Sequence, residues 1–270
     1  MLDVGSIKKL EDRNKTVLVR FDLNVPLDEV SGKVNDRLTR IKNTINQLQE
    51  LNSKIVILSH LGRPKGISNK DLSLSKITDQ LEEVLNSKIN FINDCIGDEV
   101  KKKISSFDQS SIILLENCRF HKGEEENNLE FAKKLSELAD VYVNDAFGCV
   151  HRSHASVDAI TQYMPSYVGN LLDEELTNLH NITDKPESPS ITILGGSKIS
   201  TKISVLKNLS IKMDSIVICG GMANNFLAYN GHDIKDSLIE KGVDSLIREI
   251  ISHAKKNNCK LITPIDVVTA

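Results

Sequence analysis

The sequence predicts an α/β protein: two doubly wound, Rossmann-like parallel-sheet domains joined by a helix, the second domain incomplete. Three observations predict it. Short apolar runs alternate with helical patterns along the chain. The runs are nearly unbroken and lack the apolar–polar alternation of a half-solvated sheet, as expected when helices cover both faces. One stretch, TDKPESPS (183–190), sets two prolines among polar residues and interrupts the alternation. Strand–helix alternation also implies right-handed crossovers, and hence parallel strands.

In chain order, TVLVRF (16–21), KIVILS (54–59), KINFI (88–92), SIILLE (111–116) and VYVN (141–144) are the expected strands of the first domain. Apolar residues three and four apart mark helices between them: Ile41, Ile45 and Leu48 in one, Phe131, Leu135 and Leu138 in another. MPSYVGNLLDEELTNLHNI then places Leu171, Leu172, Leu176 and Leu179 on one helical face. With the boundary at the proline stretch, residues 1–168 form an N-terminal domain, 169–189 a helix and linker, and 190–270 a second domain. There SITIL (190–194), SIVIC (215–219) and KLIT (260–263) are strands, and Leu246, Ile247, Ile250, Ile251 and Ala254 form a helical stripe. Three strands are few for a doubly wound sheet. PIDVVTA follows the last of them directly, so either the domain is unusually small or the chain stops early.

A length of 270 residues allows a well-buried core and two domains. With 40% hydrophobic and 26% charged residues the chain is globular, not disordered. A net charge of −3 gives no global reason to expect nucleic acid or an anionic membrane as partner, so any cationic patch must be local. The five cysteines are widely spaced, odd in number and without a CxxC pair. That argues against a disulfide framework or zinc site, and for a reducing compartment. An apolar signal core is lacking at the N-terminus, and no apolar run approaches ~18 residues, so neither secretion nor a membrane span is expected.

Ligands of open parallel sheets sit beyond the carboxyl ends of the strands. Arg20, Asp22 and Asn24 stand at the end of the first strand, and Arg40 heads a helical pattern. SHLGRPKG follows the second strand and spends His60, Arg63 and Lys65 among two glycines and a proline. A turn needs the glycines and the proline, not three donors of positive or potentially positive charge. ENCRF adds Arg119 after the fourth strand, and NDAFGCVHRSHAS adds Asn144, Asp145, His151, Arg152 and His154 after the fifth. Each has a plain alternative. Arg20 and Asp22 could be a local ion pair, His154 a satisfied core histidine, Arg119 a helix cap. GEEEN (123–127) reads as a solvated acidic face or first helical turn rather than a metal site. Together, basic side chains at one end of three strands in an acidic protein describe a cleft for a small, strongly anionic ligand.

The second domain carries ITILGGSKISTKI: strand, glycine pair, lysine, helix. It lacks the spacing of a P-loop or a G-x-G-x-x-G dinucleotide site. Glycines that admit close backbone approach, and N–H groups at a helix start, still favour phosphate. Lys198 and Lys202 are four apart and would share a helical face. A second glycine pair follows in ICGGMANNF. Close packing of helix on strand would explain such pairs equally well. One half-site for a small anion and one for a polyphosphate suit a kinase that excludes water during transfer.

VLVRFDLNVP, SHLGRPKG, LLENCRF, VYVNDAFGCVHRSHAS, LGGSKISTKI, CGGMANNFL and TPIDVVTA, in this order, resemble phosphoglycerate kinase of bacterial type. The resemblance covers essentially the whole chain. It implies ATP + 3-phosphoglycerate ⇌ ADP + 1,3-bisphosphoglycerate with Mg²⁺ in cytoplasmic glycolysis, and a monomer when complete. By that resemblance Asp22 and Asn24 hold the substrate's hydroxyl and carboxylate end, and His60, Arg63, Arg119 and Arg152 its phosphate. Arg40 orients the acceptor carboxylate and stabilises the moving phosphoryl group. Lys198 tracks that group, Lys202 holds nucleotide phosphates, and Gly195, Gly196, Gly220 and Gly221 line the nucleotide side; no residue is assigned to a metal. Thr201 stands where the family has Asp, Cys219 where a third glycine is common, and the VNDRLT loop is one residue longer. The family also continues past DVVTA with a Trp-containing segment, a GGGDT-type loop and a tail, which implies that this chain corresponds to the first two-thirds. A non-catalytic phosphoacid-binding fragment, exposing apolar sheet in its second domain, is the alternative. A kinase of carbamate or acetylglutamate is a further one.

Overall fold

The computed structural model describes residues 5–25, 36–184 and 186–266. The start of the VNDRLT loop, Lys185 in the proline stretch and the terminal VVTA lie outside the described residues. The chain divides into two compact units, Met1–Leu176 and Thr177–Ala270. Among the described residues, no helix is long and apolar enough to cross a membrane.

The first unit is built on six parallel strands: β1 (Thr16–Phe21), β2 (Lys54–Leu58), β3 (Ile89–Ile92), β4 (Ile112–Leu115), β5 (Val141–Asp145) and β6 (Ser166–Val168). Their order is β3-β4-β2-β1-β5-β6, doubly wound with β1 near the centre. Register makes the carboxyl ends level, since Arg20 pairs with Leu58 on one side and with Asn144 on the other. Helices α1 (Asp36–Arg40), α2 (Lys42–Glu50), α3 (Thr78–Leu85), α4 (Asp98–Ser106), α5 (Lys122–Glu125) and α6 (Leu129–Ser136) intervene, and α7 (Asn170–Asp184) follows β6. Both sheet faces are covered. Val17, Val19, Ile55 and Ile57 pack with Ile45, Leu48 and Leu81 on one side. Leu18, Val56 and Ile113 pack with Ile104, Phe131 and Leu135 on the other. This double burial is why the strands read as unbroken apolar runs. The pattern missed β6, which has three residues and takes its place through Tyr142 N donating to the Pro165 carbonyl at 2.9 Å.

The second unit has a three-stranded parallel sheet, β7 (Ile191–Gly195), β8 (Ser215–Cys219) and β9 (Lys260–Ile262), in sequence order. Helices α8 (Ile203–Lys212), α9 (Gly221–Tyr229) and α10 (Asp244–Lys256) contribute Leu206, Met222, Phe226, Ile247 and Ile250 to one core with Ile216 and Ile218. Here the expected double coverage fails. Ile191 is 64% exposed and Ile193 72%, because the helices pack on the alternate residues of the sheet. The second unit therefore presents apolar strand surface to water among its described residues.

A close fit fastens the start of α7 to the sheet. Gly169 N donates to the Asn144 carbonyl at 2.8 Å. Buried Asp145 accepts from Thr44 Oγ1 at 2.6 Å and from Leu172 N at 2.9 Å, satisfying an N–H of the first helical turn. A Cβ on Gly169 would lie 2.4 Å from Asp145 Cγ. Gly169→Ala is therefore expected to cost about 1–3 kcal/mol as an overpacking substitution. Urea denaturation would show this as a lower midpoint with unchanged slope.

Candidate active site

In the first unit the loops after β1, β2 and β5, and a 3₁₀ turn at Cys118–Phe120, converge at the carboxyl end of the sheet. Ser59, just past β2, ties two of them together. Its hydroxyl accepts from Leu23 N at 3.0 Å and donates to the Phe21 carbonyl at 2.8 Å. Asn24 Oδ1 accepts from Gly62 N at 2.8 Å, which holds the SHLGRPKG loop against the segment after β1. Asn117 fastens the same loop from the other side. Its Nδ2 donates to the Leu61 carbonyl, and its Oδ1 accepts from Arg119 N. Gly62 and Gly66 have φ of +63° and +75°, so the loop needs glycine at both turns.

Arg20 is fully buried, and it does not pair with Asp22. Its Nε donates to Ser156 Oγ at 3.1 Å, its Nη1 to the Phe21 carbonyl, and its Nη2 contacts His60 Nδ1 at 2.9 Å. Asp22 instead accepts from Arg37 Nη1 at 3.1 Å. Sequence reasoning overlooked Arg37; its spacing of three from Arg40 was the available signal, since both lie on α1. Arg40 pairs with Glu175 of α7 at 3.1 Å. Asp22, Arg37, Arg40, Asp145 and Glu175 line a cavity of about 190 Å³.

The cations split by their satisfaction. Arg63 is exposed and makes no hydrogen bond or ion pair within the described residues. Arg152 is half-buried, with Nε 3.3 Å from His151 Nε2. Arg119 is 2% exposed, and it caps no helix. Its Nη1 donates to the Gly62 carbonyl at 2.9 Å, yet Nε and Nη2 are buried without a hydrogen-bond partner. Glu125 lies 3.5 Å from Nε as an ion pair only. Burial, with Arg152 adding to it, lowers the Arg119 pKa, a cost that an anion beside it would offset. His154 is not a satisfied core histidine, since its Nδ1 is buried without a hydrogen-bond partner among the described residues, with Glu124 3.8 Å away. The GEEEN segment does form a short helical turn with Glu125 and Glu126 exposed, but one of its glutamates is not solvated. Glu124 is fully buried and accepts from Ser156 N and Oγ.

In the second unit Gly195 ends β7 and Gly196 follows it, both exposed. Gly196 O accepts from Met222 N at 2.9 Å, and a Cβ on Gly220 would come within 3.2 Å of that oxygen. The two glycine pairs thus pack backbone against backbone. Lys198 and Lys202 are exposed, but they do not share a helical face. Lys198 lies in a turn, and Lys202 is the residue preceding α8. The turn is held by Thr201 Oγ1 donating to the Lys198 carbonyl, and by Glu240 accepting from Ser200 N and Oγ.

Compared with known proteins, residues 7–270 match the family model described as phosphoglycerate kinase. The chain belongs to the phosphoglycerate kinase family. It is 46% identical to the phosphoglycerate kinase of Wolbachia sp. subsp. Drosophila simulans over 271 aligned residues, covering 100% of this chain and 67% of that protein. Against the enzyme of Bartonella bacilliformis identity is 44%, over 97% of this chain and 66% of the relative. The solved phosphoglycerate kinase from Coxiella burnetii superposes with a TM-score of 0.86 at 37% identity, over 98% of this chain and 67% of that one. The one from Pyrococcus horikoshii gives 0.75 at 27% identity, over 97% of this chain and 67% of that one. This chain thus spans about two thirds of the length of the family members it matches.

His60 makes the first unit's site sensitive to acid. Burial first, then Arg20, Arg119, Arg152 and His154, pushes its pKa down to about 2, against about 6.5 in an unfolded chain. A depressed folded pKa gives stability that is complete above about 6.5 and is lost as pH falls toward 2. His60 alone should remove about 1.4 kcal/mol per pH unit below 6.5. Urea unfolding at pH 7.5, 6.5 and 5.5 would read this slope. The His60→Gln variant should have a shallower one; equal slopes would mean that the ring takes up its proton in the fold at the same pH as in the unfolded chain.

Proposed function

We propose that the first unit binds 3-phosphoglycerate and that the second contributes nucleotide contacts for glycolytic phosphoryl transfer, ATP + 3-phosphoglycerate ⇌ ADP + 1,3-bisphosphoglycerate. The observation that carries this reading is Arg119, a buried guanidinium with two unpartnered nitrogens beside Gly62 and Arg152. A dianionic phosphate supplies the acceptors that the protein withholds. His60, Arg63, Arg119 and Arg152 would hold the phosphate, and Asp22 and Asn24 the hydroxyl and carboxylate end. Arg40 would orient the acceptor carboxylate and stabilise the transferring group. Lys198 and Lys202 would hold nucleotide phosphates, near Gly195, Gly196, Gly220 and Gly221.

The chemistry asks little beyond placement. The substrate carboxylate is already ionised at pH 7, so no covalent nucleophile and no general base are required. Positioning and charge stabilisation supply the rate. Lysines and backbone N–H groups are donors to phosphate oxygens rather than metal ligands, so Mg²⁺ would arrive on the nucleotide as part of the substrate. The cytoplasm is the compartment this reading implies, and a monomer the assembly.

A second reading, a phosphoacid-binding fragment without turnover, is favoured by one observation: the exposed Ile191 and Ile193 on the second unit's sheet. Apolar surface of this kind belongs under other protein in a working domain. Calorimetric titration of 3-phosphoglycerate into the chain tests the shared part. Arg63→Ala and Arg152→Ala are each expected to weaken binding at least about tenfold, the order of a lost charge-assisted hydrogen bond. Binding that both variants retain would sink the site assignment. Addition of MgATP with a coupled transfer assay separates the two readings. Turnover that Arg40→Ala lowers about 10³-fold supports the kinase, by analogy with other transition-state arginines. Phosphoglycerate binding without any response to nucleotide supports the fragment.

A further inference from the structure

We propose that Glu124, acting through Ser156 and Arg20, is a positioning residue that fixes His60 as the tautomer protonated on Nε2, so that the ring presents an N–H donor to the anion. The inference rests on the reading of the first unit as a phosphoacid site. Glu124, Ser156 and Arg20 contact no substrate in that reading.

The argument is one of donor and acceptor direction. A guanidinium has N–H donors and no acceptor. Arg20 Nη2 lies 2.9 Å from His60 Nδ1, so Nδ1 must offer a lone pair. The ring proton is then on Nε2, and a doubly protonated ring would set two hydrogens against each other. The same reasoning runs backwards from Arg20. Its Nε donates to Ser156 Oγ at 3.1 Å, so that oxygen accepts there and its own hydrogen points elsewhere. It points to Glu124 Oε1 at 2.6 Å, while Ser156 N donates to Glu124 Oε2 at 2.9 Å. Glu124 is the last acceptor of this relay, a carboxylate that accepts twice.

The network is sealed. Arg20, Glu124 and Ser156 have no exposure, and His60 has 3%. Water cannot substitute for a missing partner there, so each direction is enforced by the cost of an unsatisfied buried group. The groups facing His60 from the surrounding segments act in the same sense. Arg20 of β1, Arg119 of the 3₁₀ turn, and Arg152 and His154 after β5 all disfavour a positive ring. Asp22 and Cys149 each bring a polar atom within 4.8 Å of His60, but Asp22 is paired with Arg37. Burial keeps the Cys149 thiol above its ordinary pKa, hence neutral. His60 therefore serves the anion as a hydrogen-bond donor, while charge comes from the arginines.

Side-chain ¹⁵N spectra of the labelled full chain test this, with the His60 signals identified by their loss in His60→Gln. The expected result is a protonated Nε2 and an unprotonated Nδ1, unchanged from pH 8 to 5.5. A ring protonated on Nδ1, or one titrating near pH 6.5, would overturn the proposal without recourse to any variant. Ser156→Ala and Glu124→Gln should each mix the tautomers and weaken 3-phosphoglycerate binding roughly tenfold. Ser156→Thr, which keeps the hydroxyl, should restore the wild-type ring signals. Unchanged ring signals in Ser156→Ala would assign Glu124 and Ser156 a merely structural role and sink the relay. The spectra need no ligand. The expected tautomer with no phosphoglycerate binding would therefore refute the phosphoacid reading and leave the relay standing.

Discussion

A guanidinium that no water reaches must find all its acceptors within the protein, and in the first unit that demand falls on Arg20. Parallel pairing brings the strand ends level, but it does not dictate where the loops beyond them go. Arg20 does, because its donors fan out to the Phe21 carbonyl, to Ser59 and His60 after β2, and to Ser156 after β5. Each of those segments loses a hydrogen bond to a buried charge if it moves. A buried ionic group of this kind contributes little net stability against a well-packed apolar replacement, since desolvation offsets its attraction. Its effect is to make one arrangement of three loops far better than its neighbours.

Outside this sealed layer lies a second set of cations with the opposite property. Among the described residues, Arg119 leaves two nitrogens without a hydrogen-bond partner, Arg63 has no partner, and Arg152 reaches only His151. Like charges gathered beside unsatisfied donors are unfavourable in isolation, and an anion offsets both terms at once. The inner layer is complete in itself and the outer layer is not, and this contrast supports the face proposed for the ligand. Had Arg20 also lacked acceptors, the loops would have no fixed geometry to offer. If Arg119 were saturated by carboxylates, there would be a structure and no site.

The extent to which this was legible in the sequence follows from which interactions are local. Strands buried on both faces announce themselves as apolar runs, so β1 to β5 and β7 to β9 were evident, whereas three-residue β6 carries no pattern of its own. Cations after strands were evident too, because a strand end is a position in sequence as well as in space. Their division into layers was not. Arg20 and Arg119 look alike in the sequence, and the acceptors that separate them come from segments far away in the chain. Glu124 is the sharpest case. Three adjacent glutamates read as a solvated face, and only the packing of α5 against the segment around Ser156 singles out the first one for burial. Lys198 and Lys202 show a related limit. Their spacing suits a helix, but the Ser200–Thr201 turn delays α8 until Ile203.

The second unit solves its placement problem with backbone rather than side chains. Gly196 O takes Met222 N, and Gly220 and Gly221 let the two strand–helix turns approach within the space a Cβ would fill. Packing and ligand binding were posed as alternatives for these glycines; the geometry shows the packing, and it limits what a ligand would meet. The approach that aligns the start of α9 also consumes one of its N–H groups, and Glu240 consumes that of Ser200 beside Lys198. A nucleotide phosphate bound here would thus meet fewer amide donors than in a P-loop, and would depend more on the ammonium groups of Lys198 and Lys202. Those are exposed point charges on flexible stems, screened by salt and held in place by little. In the first unit Arg20 is held by buried partners, and Arg119 by the Gly62 carbonyl. On the proposed reading the two units would meet phosphate differently: the first with a buried, anchored guanidinium among its cations, the second with mobile charge.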